Sequence, residues 1–151
     1  MTAAIILAGG LGTRLRTVVP DLPKPMAPIN GRPFLEHQLD YWIAQGVKHF
    51  VLSVGYRHAM IVGHFGSAYR GASLEYAVEH SPLGTGGGLL MAMERLIGDD
   101  TFLLLNGDTY FEVDLVALLD FHARNNADWT LSLFRTAESG RYMGLDISAS
   151  G

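Results

Sequence analysis

Four short segments carry residues whose types and spacing suit the handling of phosphate. The first is Leu7-Ala8-Gly9-Gly10-Leu11-Gly12-Thr13-Arg14-Leu15. Glycines after a buried strand let backbone N–H groups turn inward and cradle an anion. The Arg14 guanidinium adds a planar cation matched to phosphate oxygens. The same residues also read as a plain tight turn. The dinucleotide fingerprint fails here because position 15 is leucine, not glycine, and a P-loop fails because no Gly-Lys-Ser/Thr follows. The second segment is Pro23-Lys24-Pro25. Flanking prolines are expected to hold Lys24 in an extended, low-entropy backbone that aims its ammonium at a phosphate. A solvated surface lysine is the other reading.

The third segment, Glu79-His80-Ser81-Pro82-Leu83-Gly84-Thr85-Gly86-Gly87-Gly88, follows one strand and opens a helix. The positive end of a helix flanked by glycines can receive an anion or the edge of a flat ring; a glycine-capped loop is the plainer alternative. The fourth, Phe102-Leu103-Leu104-Leu105-Asn106-Gly107-Asp108, ends an apolar run on a carboxylate. A hard cation such as Mg²⁺ is held beside phosphates at such a place, although one carboxylate supplies only part of a six-oxygen shell. A turn-capping Asp would read the same way. Glu79 also bears on base choice. An ionised Glu only accepts hydrogen bonds, whereas Gln both donates and accepts. Guanine presents two adjacent donors that a carboxylate accepts as a charge-assisted pair, and adenine N1 would face it with repulsion. This predicts GTP over ATP and UTP.

Residues 3–8 form a short apolar run that predicts a strand buried on both faces, and residues 50–54, 74–78, 102–105 and 129–134 read similarly. Between them lie helical patterns. Pro33 suits a first helical position, with Phe34, Leu35, Leu39, Trp42 and Ile43 on one face and Gly46 as the stop. A shorter helix is expected over 59–65. Leu89, Leu90, Met93, Leu96 and Ile97 mark another, closed by Gly98, and Asp114 caps a helix over 115–124. Residues 145–151 read as a strand and a turn. Trp42, Trp129 and the phenylalanines are expected in the core. Strand alternating with helix predicts an α/β domain with a mainly parallel sheet and right-handed crossovers. Ligands of such sheets sit at the carboxyl ends of the strands, which is where both glycine clusters and Asp108 fall.

Composition narrows the function classes. The chain has 151 residues, 48% hydrophobic and 17% charged, which predicts one folded domain over 1–151 rather than disorder. Eleven Lys and Arg against fifteen Asp and Glu, with no basic block, argue against nucleic-acid binding. The absence of cysteine removes disulfides, thiolate metal sites and a cysteine nucleophile. No Gly-x-Ser-x-Gly elbow is present, and the six histidines lack ligand spacing. No basic n-region precedes residues 3–8, and no window approaches the ~20 apolar residues of a membrane span. A soluble cytoplasmic protein is expected.

Taken in chain order, the glycine loop over 9–15, Pro23-Lys24-Pro25-Met26, Pro82-Leu83-Gly84-Thr85-Gly86-Gly87 and Asn106-Gly107-Asp108 resemble the motifs of the sugar-1-phosphate nucleotidylyltransferases, and residues 18–29 are most similar to a guanylyltransferase branch. The resemblance implies a three-layer αβα, Rossmann-like nucleotidyltransferase fold. It implies attack of a sugar 1-phosphate on the α-phosphorus of a nucleoside triphosphate, with pyrophosphate leaving. Arg14 and the glycine loop, with Gly10, Gly12 and Thr13, would then hold the pyrophosphate, Lys24 would face the reacting phosphates, and Asp108 would bind Mg²⁺. Leu7, Ala8, Gly9, Glu79, Gly84 and Thr85 would surround the nucleotide, which Glu79 marks as GTP.

The family's catalytic domain is longer than 151 residues, so the C-terminal sugar-binding part is expected to be missing. Its Glu-Lys motif and second metal-binding Asp have no counterpart here. In Arg141-Tyr142-Met143-Gly144, Met143 stands where the family has glycine. A strand missing from the sheet would leave an unpaired edge and promote self-association. A nucleotide-binding or regulatory module without catalysis is the alternative reading.

Overall fold

β1 (Ala3–Ala8), β4 (His49–Val54), β6 (Ala72–Val78) and β7 (Phe102–Asn106) run parallel in one sheet, and β5 (Ala68–Tyr69) pairs antiparallel with β6. The strand order is β5-β6-β4-β1-β7. The computed structural model describes residues 2–10, 21–96 and 101–134. Arg14 and the rest of the loop over 11–20, the helix end at Ile97-Gly98, the Arg141–Gly144 stretch and the strand expected over 145–151 lie outside them.

The sheet follows from its residues. Ala3, Ile5, Val51 and Ala77 bury one face against Ala92 and Leu96, with Leu7, Leu89 and Met91 packed around them. The alternate positions Ala4, Ile6, Phe50, Leu52 and Val54 are buried as well, which is why these strands read as unbroken apolar runs. Full burial of side chains such as Ile6 or Phe50 contributes about 1.5–3 kcal/mol each. α1 (Phe34–Ala44) and α2 (His58–Phe65) connect strands in one direction across the sheet, and α3 (Gly84–Met93) carries the chain back past β4 and β1 to β7. With right-handed crossovers, α3 therefore covers one face and α1 and α2 the other. The reversal places β1 and β7 at the topological switch point, where a cleft opens beyond their carboxyl ends.

α1 begins at Phe34, with Pro33 as its N-cap rather than its first residue. Gly46 N–H donates to the Ile43 carbonyl and Val47 N–H to that of Trp42, which closes the helix as expected. α3 begins at Gly84, five residues before its apolar pattern starts. β2 (Pro28–Ile29) and β3 (Arg32–Pro33) form a small hairpin whose turn residues Asn30 and Gly31 both have positive φ. That is the turn Asn-Gly favours.

The chain divides into two compact units, Met1–Phe111 and Glu112–Gly151. The second contains α4 (Leu115–Arg124), where Asp114 Oδ1 accepts from Ala117 N–H at 3.0 Å, the cap expected from sequence. The strand expected over 129–134 does not form, and Trp129 is 72% exposed instead of buried. Phe121 and Phe134 are likewise exposed, whereas Trp42, Phe50 and Phe65 are in the core. Among the described residues no helix is long and apolar enough to cross a membrane.

An ion-pair network ties the hairpin to the helices. Arg32 Nε donates to Glu36 Oε2 at 2.8 Å and its Nη2 to Asp40 Oδ2 at 2.6 Å. The His64 ring nitrogen lies 2.8 Å from Glu36 Oε1 and must donate, because the carboxylate only accepts. The bond from His64, then that from Arg32, holds the Glu36 carboxyl below the usual range. A depressed folded-state pKa gives stability above the ordinary glutamate pKa of about 4.3 that is lost as pH falls through the folded value. Thermal melting between pH 5 and 3 should therefore fall more steeply for the parent than for Glu36→Gln. Parallel curves would show that this carboxylate contributes nothing.

Candidate functional site

The carboxyl ends of β1, β6 and β7 and the start of α3 surround an open cavity of about 300 Å³. Leu7, Ala8, Gly9 and Gly10 line it from β1, Glu79 from the end of β6, Gly84 and Thr85 from α3, and Asp108 from the turn after β7. Lys24 reaches it from a separate segment. Every described residue that the sequence reading assigned to catalysis or nucleotide binding thus meets at one place. Gly12, Thr13 and Arg14 lie outside the described residues. Pro25, Pro82, Gly88, Asn106 and Gly107, which stand in the sequence motifs without an assigned role, also line the cavity.

Close backbone approach explains several glycines. Gly107 N–H donates to the Leu7 carbonyl at 2.8 Å, and a Cβ at position 107 would stand 2.7 Å from that oxygen and 3.0 Å from Ala8. Only glycine lets the ends of β1 and β7 meet. Gly9 and Gly88 clear the space for the Glu79 carboxylate. A Cβ on Gly9 would overlap Glu79 Oε1, and one on Gly88 would lie 2.7 Å from that oxygen and 2.9 Å from Ser53 Oγ.

Glu79 is held at both oxygens. Ser53 Oγ donates to Oε1 at 2.9 Å, and Leu83 N–H donates to Oε2 at 3.1 Å. Ser53 is fully buried in β4, so its hydroxyl is committed to this bond. A carboxylate has about four acceptor sites, so each oxygen keeps one free. The arrangement suits two adjacent donors on a ligand. Ser53 was invisible in sequence, because a serine inside an apolar strand carries no motif.

Lys24 opens a single 3-10 turn, Lys24–Met26, rather than the extended backbone expected between two prolines. The turn closes through Met26 N–H to the Pro23 carbonyl at 2.8 Å and Ala27 N–H to that of Lys24 at 3.1 Å, so the N–H missing from Pro25 is not needed. Pro23 and Pro25 are buried, which fixes the stem of the lysine. Its ammonium forms an ion pair with Asp108 Oδ2. That contact, first among the causes, holds the Asp108 carboxyl below the usual range, and Thr109 Oγ1 adds a bond to Oδ1 at 3.2 Å.

Asp108 fits a hard cation on its chemistry: it is a half-exposed carboxylate in a cavity, and a positive charge already stands against it. Among the described residues no group of three or more His, Cys, Asp or Glu is gathered as a metal cluster. Mg²⁺ often binds through one or two carboxylates, with phosphates and water completing its shell.

A cavity at the switch point of an α/β sheet, walled by glycines, a lysine and a carboxylate, lies where this architecture binds its ligands, and its charges suit a phosphate-bearing one. The chain belongs to the nucleotidyl transferase family, whose model matches residues 3–142. It is 47% identical over 139 residues to D-glycero-alpha-D-manno-heptose 1-phosphate guanylyltransferase of Aneurinibacillus thermoaerophilus, covering 92% of this chain and 60% of that protein. It is 43% identical over 136 residues to mannose-1-phosphate guanylyltransferase of Mycobacterium tuberculosis, covering 89% and 38%. The crystal structure of HddC from Yersinia pseudotuberculosis complexed with GMP-PN matches with a TM-score of 0.72 at 38% identity, over 81% of this chain and 54% of that one. The chain therefore spans roughly half the length of the relatives it matches.

The glycines of α3 give a test of the crowding around Glu79. A Cβ on Gly86 would meet nothing within 4 Å, so Gly86→Ala should stabilise the helix by about 0.5–1 kcal/mol. Gly88→Ala should forfeit that gain, because the new methyl displaces the carboxylate from Ser53. Urea midpoints of the two variants decide it; an equal rise in both would mean that the carboxylate yields freely.

Proposed function

We propose that this chain is the nucleotide-binding part of a sugar-1-phosphate guanylyltransferase. The observation that carries the proposal is the convergence of Lys24, Glu79, Asp108 and the Gly9-Gly10 backbone on one cavity at the switch point. The guanylyltransferase relatives and the HddC complex with GMP-PN support a guanine nucleotide there. In the whole protein, an oxygen of a sugar 1-phosphate attacks the α-phosphorus of GTP. A new P–O bond forms, the bond to the β-phosphate oxygen breaks, and pyrophosphate leaves. A triphosphate substrate fits a cytoplasmic location.

Catalysis of this kind rests on positioning and charge. Asp108 is the residue that would hold Mg²⁺, which when bound offsets the negative charge of the triphosphate. Lys24 leaves Asp108 for the phosphate oxygens around the reacting phosphorus. Arg14 and the amides of the glycine loop are assigned by motif to the outgoing pyrophosphate. Glu79 accepts guanine N1–H and the 2-amino group at its two free acceptor sites, while Ser53 and Leu83 keep it in place.

Competitive binding tests the base assignment. GTP should bind better than ATP, and inosine triphosphate, which lacks the 2-amino donor, should fall between them. Glu79→Gln should shrink the gap between GTP and inosine triphosphate. No gap in the parent would show that Glu79 does not read the base.

We also propose that the chain self-associates through β7. Among the described residues β7 pairs with β1 alone, and Leu104, on the same face as Ile5, is 39% exposed. An unpaired apolar edge strand invites pairing with another chain. Sedimentation should be concentration-dependent across the micromolar range, and Leu104→Lys should reduce the larger species. A parent that stays monomeric throughout would overturn the idea.

A further inference from the structure

Gln38 is 3% exposed on α1, outside the cavity, and a buried amide needs a reason. Its Nε2 donates to the Asn106 carbonyl at 2.7 Å and lies 3.2 Å from that of Thr109, so one amide nitrogen spans both ends of the turn that carries Asp108. The turn's own closing bond, Thr109 N–H to the Asn106 carbonyl, is long at 3.5 Å. The external clamp is therefore the shorter of the two. The identity of the nitrogen is fixed by chemistry, since the oxygen in its place would face two carbonyls. Gln38 Oε1 has no hydrogen-bond partner among the described residues. A side chain that leaves one end unsatisfied is held there by what its other end does.

We infer that Gln38 is a positioning residue for Asp108. The turn is anchored on one side to β1, through Gly107 N–H and the Leu7 carbonyl, and on the other to α1, through Gln38. Between the two anchors the Asp108 carboxylate is held toward the cavity in advance of any ligand. A site held within about 0.5 Å by its supporting residues binds without paying to order itself. Gln38 thus sets how tightly the metal–nucleotide complex is gripped, and contributes little to the nucleotide alone. The inference rests on the reading of Asp108 as the metal anchor.

The test measures GTP binding to the 151-residue chain by calorimetry, with Mn²⁺ as the probe metal and in EDTA. The parent should bind GTP more tightly with Mn²⁺, and Asp108→Asn should abolish that gain. Gln38→Leu, which removes both donors at nearly constant size, should cut the gain about tenfold and change affinity in EDTA less than threefold. Amide hydrogen exchange over 107–109 should speed up in Gln38→Leu without ligand. Leu39→Ala, a neighbour buried in the core of α1, should lower the melting temperature yet keep the gain. A parent without any gain overturns the metal reading and this inference together. A full gain in Gln38→Leu alongside its loss in Asp108→Asn overturns the inference alone. So does an equal loss in Gln38→Leu and Leu39→Ala, which would reduce Gln38 to general stability.

Discussion

One backbone bond joins the two halves of the site. Gly107 N–H meets the Leu7 carbonyl at 2.8 Å, at the point where the central strand and the last strand of the sheet end side by side. On the β1 side of this bond lie Gly9 and Gly10, and beyond the β7 side lies Asp108. If a side chain stood at position 107 the strand ends would separate, and the carboxylate would move away from the glycine loop. The register Leu7↔Asn106 continues the parallel ladder up to that bond, so the precision of the site is inherited from the rigidity of the sheet.

The charges inside the cavity are arranged around a substitution. Lys24 and Asp108 are 84 positions apart in sequence and neutralise each other in the cleft. Read singly, the first suggested a phosphate ligand and the second a cation ligand; their mutual contact satisfies both without either. On the proposed function, a metal–triphosphate complex would bring one cation for Asp108 and several anionic oxygens for Lys24. Such an exchange of partners would leave neither Lys24 nor Asp108 uncompensated, which would lower the cost of disassembling the pair.

Sequence pattern revealed the parts of the fold that depend on local chemistry. The buried strands, the cap at Asp114 and the stop at Gly46 follow from residues within one turn of the feature they create. The segment 79–88 reads as opening a helix, but its first residue, Gly84, did not emerge, because Gly86, Gly87 and Gly88 are poor helix formers; close packing excludes side chains at two of these, against Leu83 at 87 and against Glu79 and Ser53 at 88. The Asn30-Gly31 turn carried a readable signal, but its strands are two residues long and leave no periodicity. Residues 129–134 read as a short apolar run, and an apolar run alone does not supply a ladder partner. Among the site residues, those in glycine-rich or proline-flanked motifs were legible. Gln38 and Ser53 were not, since each acts through one bond to a distant segment.

Ser53 has a consequence for how this scaffold can diversify. A hydroxyl is amphoteric: by rotating its proton it donates to a carboxylate or accepts from an amide. Leu83 N–H needs only an acceptor, which either a carboxylate or a carboxamide supplies. The two groups that grip position 79 are therefore indifferent to whether it carries Glu or Gln, while the free acceptor sites facing the cavity are not. The same backbone and the same supporting partners can present two different hydrogen-bonding faces after a single-residue exchange. On the proposed role of Glu79, base preference would be a separable trait, open to revision without refolding the loop that displays it.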